Sequence, residues 1–168
     1  MRLLRALAIV ALLAVAVFVA YRFVVRPSAP AGGETIAVYY CKTDGESLAK
    51  WSVSVNPNAR DLASTAFYAA TQAVAGPPSD VTAVRFPMGT IVRSVHVLSS
   101  TAAVDLGGNI ASAQSGSFAE SGEFKALVWT LTALPGISAV QVRVDGARVP
   151  TLPGGHLELD EPLTRQSW

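Results

Sequence analysis

One cysteine, Cys41, stands in the 168 residues, so no internal disulfide can staple this chain. Charge is scarce as well: 15% of residues are Asp, Glu, Lys or Arg against an apolar fraction of 51%, which excludes wholesale disorder. No basic block appears and the formal net charge is +1, so a chain built to hold nucleic acid is not expected. There is no P-loop lysine motif, no Gly-x-Ser-x-Gly elbow and no HExxH, and histidine occurs twice only, at His96 and His156. The length allows one domain plus whatever the termini carry.

What charge there is lies unevenly. Arg2, Arg5, Arg22 and Arg26 belong to the leader, leaving 9 basic against 12 acidic residues from Pro27 onward. Residues 6–21 carry no charge, and Phe23-Val24-Val25 extends the apolar run beyond Arg22. As a helix, this run reaches ~24 Å, or ~30 Å with the triplet, enough to cross hydrocarbon if Arg22 snorkels to the interface. Residues 1–26 are therefore expected to form a single-pass anchor, with the body outside the cytoplasmic membrane. The rival is a leader cleaved near Ala29-Pro30-Ala31, which would release the body as a secreted protein. No cysteine follows the apolar run closely enough for lipid attachment. Residues 27–34, Pro-Ser-Ala-Pro-Ala-Gly-Gly-Glu, are expected to be a tether, and 35–168 the folded domain.

Within the body, Ile36, Val38 and Tyr40 share one face of an expected strand that also buries Cys41 as a small apolar side chain. Trp51, Val53 and Val55 alternate in a second strand. Asn56-Pro57-Asn58 is expected to cap a helix running to about Ala75, stopped by Gly76-Pro77-Pro78, with an alanine-rich stripe through Leu62, Ala66 and Ala73. A hairpin follows, Ile91–Leu98 and Ala102–Leu106 around Ser99-Ser100-Thr101. Ser117 and Glu120 have capping-box spacing before Phe124, Leu127, Val128, Leu131 and Leu134, a helical face ended by Pro135-Gly136. Val140, Val142 and Val144 alternate up to an Asp145-Gly146 turn. The order β(β)-α-β-β-α-β implies an α+β fold, a small antiparallel or mixed sheet with two helices on one face.

Chemistry is thin along this chain. His96 sits between two valines, where an exposed or satisfied imidazole is expected. His156, Glu158, Asp160 and Glu161 are of ligand type, but their spacing fits no metal motif and a solvated acidic loop is the better reading. Asp105 has no assignable partner carboxylate. Tyr39, Tyr40 and Trp51 read as core and rim, with Trp51 and Tyr39 able to form a sugar platform if exposed. No catalytic, cofactor or metal residues are expected. A docking role through the outer side of the second helix and the Gly107–Gly122 connector is expected instead.

The run Leu127 to Gly146, Leu-Val-Trp-Thr-Leu-Thr-Ala-Leu-Pro-Gly-Ile-Ser-Ala-Val-Gln-Val-Arg-Val-Asp-Gly, resembles the core of the GerMN (sporulation and spore germination) domain. The likeness extends through Ala75-Gly76-Pro77, Phe86-Pro87-Met88-Gly89-Thr90, Ala103-Val104-Asp105-Leu106, Gly155-His156-Leu157 and Glu161-Pro162-Leu163-Thr164-Arg165, about residues 35–166. The resemblance implies an extracytoplasmic bacterial module, similar to the ring-building motifs of secretion-type assemblies, with envelope proteins or copies of itself as partners. It supplies no catalytic residues. The germination lipoproteins of the family carry two copies and a lipid anchor, whereas one copy and no lipidation cysteine are found here, so a germination role is not carried over.

Overall fold

The computed structural model describes residues 35–55, 61–112 and 116–168. The expected anchor, residues 1–26, and the tether, 27–34, lie outside them; among the described residues no helix is long and apolar enough to cross a membrane. Among the described residues five strands and two α-helices follow in the order β1 (Thr35–Cys41), β2 (Leu48–Ser54), α1 (Leu62–Ala75), β3 (Thr90–Leu98), β4 (Thr101–Gly108), α2 (Ser117–Leu131) and β5 (Ala139–Val144). The α+β class and element order are as expected. The single small sheet is not: β1 and β2 form a separate antiparallel hairpin, while β3, β4 and β5 form a three-stranded mixed sheet in that order. The alternation of a strand fixes its faces but not its partner, so this division is not written locally.

In the three-stranded sheet β3 and β4 are antiparallel, joined by Ser99 and Ser100, both at positive φ as a tight two-residue hairpin turn requires. β4 and β5 run parallel, and a parallel pair needs a long crossover, which α2 supplies. Ala102, Val104 and Leu106 of β4 and Val140, Val142 and Val144 of β5 point into one core with Val95 of β3. The expected stripe of α2 is buried as read, Phe124, Leu127, Val128 and Leu131 completely and Leu134 nearly so. Phe86 meets Phe124 edge to face at 5.7 Å. The other helix buries Ala66, Ala69, Ala70, Ala73 and Val74, small side chains that let it lie close to β3.

Both helix starts differ from expectation. Asn56-Pro57-Asn58 lie outside the described residues, and the cap of α1 is Asp61, whose carboxylate accepts the Ser64 N–H at 2.7 Å while the Ser64 hydroxyl accepts the Asp61 N–H. This is a capping box with serine in the return position. Helix α2 has no side-chain cap: Gly116 precedes it, and the Ser117/Glu120 box does not form. Glu120 is turned inward instead, 1% exposed, and its Oε2 accepts the backbone N–H of His156 at 2.8 Å. Its side chain holds down a distant loop, a tertiary use that spacing cannot announce.

The hairpin β1-β2 is tied to α2 through an edge. The N–H of Tyr39 donates to the Thr130 hydroxyl at 2.9 Å, and that hydroxyl donates to the Tyr39 carbonyl at 3.5 Å. One fully buried threonine thus satisfies both outward backbone groups at this position of β1, an edge otherwise open to pairing. Farther along, the Cys41 carbonyl accepts the Val84 N–H at 2.8 Å. Gly122 marks where α2 comes nearest: a Cβ there would lie 3.3 Å from Cys41 Sγ and 3.2 Å from Val84.

Candidate functional site

The helices cover one face of the β3-β4-β5 sheet; its other face carries an open groove. The strand registers place its side chains in three rows: Ser94, Asp105 and Arg143; His96, Ala103 and Gln141; Leu98, Thr101 and Ala139. Ala103, the smallest of these with Ala139, stands at the centre of the grid, so the face is dished. The result is a groove of about 620 Å³, floored by these rows except Ala139 and walled by Gly146, Arg148 and Pro162. Alternation explains the composition, since each core valine or leucine is followed by a residue free to be polar or small.

The charges of the groove are partly fixed. Asp105, nearly buried, accepts the Gly146 N–H on Oδ1 at 2.7 Å and has the Arg93 Nε 3.3 Å from Oδ2; Arg93 Nη1 reaches Asp145 at 3.1 Å. One arginine thereby bridges two aspartates, and the Asp145-Gly146 turn is locked to β4. Gln141, 2% exposed, donates from Nε2 to the carbonyls of Leu159 (2.9 Å) and Val142 (3.1 Å), tying the C-terminal segment to β5. Arg143 donates only to the Gly146 carbonyl, at 3.2 Å. Arg143 and Arg148 make no ion pair among the described residues. Strand alternation points both Gln141 and Arg143 to this face, whereas nothing in the sequence placed Arg148 here.

The other sequence-derived candidates are scattered. His96 is exposed on the groove floor, far in the chain from His156, which is exposed in the C-terminal segment. Glu158, Asp160, Glu161 and His156 line a second cavity of about 550 Å³ that shares Pro162 with the groove. No three His, Cys, Asp or Glu side chains among the described residues come together as metal ligands. Cys41 is buried as expected, and burial pushes its thiol pKa up despite the opposing pull of Lys125.

The aromatic residues part company. Tyr40 is core, its hydroxyl donating to the Gln72 carbonyl at 3.3 Å; burial raises its pKa. Trp51 is 40% exposed and borders, with Tyr68, Pro77 and Pro78, a third cavity of about 550 Å³; Tyr39 is not among its walls.

Two expected docking surfaces are changed by the structure. The outer side of α2 is partly covered by the chain itself: Trp129 packs edge to face on Trp168 at 5.8 Å, Arg165 and Lys125 flank the Trp129 ring, and Trp168 Nε1 donates to the Ser121 hydroxyl at 2.8 Å. Within the Gly107–Gly122 connector β4 runs to Gly108, a 3-10 turn takes Asn109–Ala111 and α2 starts at Ser117; 113–115 lie outside the described residues.

Comparison with known proteins agrees with this architecture. The family model described as sporulation and spore germination matches residues 37–150, more than half of the chain. The first GerMN domain of the sporulation protein GerM from Bacillus subtilis is similar with a TM-score of 0.63 at 23% identity, over 79% of this chain and 98% of that one. The tandem GerMN domains of the same protein give 0.61 at 19% identity, over 83% of this chain and 48% of theirs, so this chain spans about half of the pair. No curated protein matches it as a relative.

Proposed function

The chain belongs to the sporulation and spore germination family, and on that premise we propose that it is a non-enzymatic protein-interaction module of the bacterial envelope, tethered by its apolar N-terminal segment with the domain on the extracytoplasmic side. The observation that carries this reading is how the ionisable side chains are used. Asp105 and Asp145 hold a turn through Arg93, and Glu120 holds the Gly155-His156 segment. These groups are committed to positioning backbone, and the Asp105–Arg93–Asp145 set borders an open, dished sheet face suited to receiving another surface.

Two measurements test it. Cell fractionation of the tagged full chain should recover it with the membrane, and recovery wholly in the soluble exported fraction would remove the tether. Crosslinking in intact cells should return the same envelope protein in repeated trials, and a screen against hydrolase substrates should show no turnover. A substrate consumed would end the adaptor reading.

A second reading is favoured by one observation. Trp51, Tyr68 and two prolines line an open cavity beside β2, which is the kind of apolar wall on which a sugar ring stacks. A peptidoglycan-binding module would be retained on purified cell wall through Trp51, and Trp51→Ala would release it; retention unchanged by that substitution removes this reading.

A further inference from the structure

We propose that the dished outer face of the β3-β4-β5 sheet is the docking site for an acidic segment of the partner protein. This rests on the interaction-module reading above and names the surface and the chemistry of what fits it. Three features of the face converge. Its charge is unbalanced in one direction: Arg93 bridges Asp105 and Asp145, while Arg143 on the floor and Arg148 on the wall have no ion-pair partner among the described residues, so three guanidinium groups stand against two carboxylates. Its shape is set by the small side chain at its centre, Ala103, with His96 and Gln141 beside it in register, so the centre accepts a side chain from outside. Its rim is apolar at Leu98, 79% exposed, and at Pro162, giving a dry border against which charge contacts gain strength.

The surroundings set the orientation. Beyond Pro162 the neighbouring cavity is lined by Glu158, Asp160 and Glu161, all exposed. An acidic segment is repelled from that side and held toward Arg143 and Arg148, so it crosses the strands at one end of the sheet. The domain as a whole carries more acidic than basic residues, so general charge does not draw an acidic partner to it; the attraction is local.

The test uses the full chain in a nonionic detergent at low ionic strength, with fluorescently labelled hexaglutamate as probe and anisotropy as readout. Hexaglutamate should bind and hexalysine should not, with affinity falling as salt is added. Arg143→Glu with Arg148→Glu should weaken binding by about tenfold or more. Lys42→Glu with Lys50→Glu, the same change of net charge on exposed positions of the hairpin region, should leave it within about twofold. Ala103→Phe alters no charge and fills the centre; it should weaken hexaglutamate by about tenfold while the melting temperature stays near that of the parent chain. The proposal is overturned by no binding of hexaglutamate, by equal binding of hexalysine, or by equal losses in the two charge-reversed pairs. If the crosslinked partner is still captured by the Arg143/Arg148 variant, the surface is wrong and the adaptor reading stands; if no partner is captured by the parent chain, the adaptor reading itself fails.

Discussion

The two helices solve the same packing problem in opposite ways. Helix α1 is defined locally: a reciprocal Asp61–Ser64 cap starts it, small alanines face the core, and Gly76 at positive φ ends it. Helix α2 has no side-chain cap and draws its order from distant partners, Phe86 against Phe124, Tyr39 on Thr130, His156 on Glu120, Trp168 on Ser121. A helix with a good cap can be recognised from its own residues, whereas one held by tertiary contacts is recognisable only by its apolar stripe.

Substitutions that strike each kind of support should separate the two. Phe124→Ala removes a completely buried ring from α2 and should cost about 3–5 kcal/mol, read by urea unfolding of the full chain. A loss below about 1 kcal/mol would mean that α2 is not the centre of the core. Thr130→Val keeps the shape but strips both backbone groups of Tyr39 of their partner. It should cost about 1–3 kcal/mol and speed amide exchange in β1 before β4. Uniform acceleration across both sheets would break the view that the hairpin is pinned to α2 by this hydroxyl.

Asp61→Ala should have a smaller effect, confined to α1, and its pH dependence gives the sign. Backbone and hydroxyl hydrogen bonds from Ser64 lower the Asp61 pKa below its ordinary 3.8, so the folded state favours the carboxylate. The contribution is therefore present above the unfolded-state value and lost as pH falls through the folded one. Melting curves of parent and variant should differ at neutral pH and converge in acid; a difference that persists below the carboxylate range contradicts the cap. Smallest of all, Asp44→Asn should follow the same course, because Asp44 is likewise held down by hydrogen bonds from Ser47 and Glu46 in the β1–β2 turn.

The contrast between the helices also marks what could be read from the residues. Alternation in β1, β4 and β5 and the stripe from Phe124 to Leu134 gave the core faces, because burial follows the period of the element. Several polar residues precede α1, and spacing alone does not choose Asp61 over Asn56 as its cap. At Glu120 a capping box and an inward carboxylate share one sequence signature, and only the contact with His156 distinguishes them. The split into two sheets and the folding of Trp168 onto α2 depend on contacts between residues far apart in the chain, so no local pattern carries them. The groove was half legible: alternation sends His96, Asp105 and Arg143 outward, but only the register between strands brings them side by side around Ala103.

That register has an evolutionary corollary. The methyl of Ala103 lies on the opposite surface from Ala102 and Val104, which are sealed in the interior. Descendants of this fold are free to exchange the residue at 103 for bulkier or charged ones and so change which molecules they greet, while the neighbours that keep the molecule folded stay untouched.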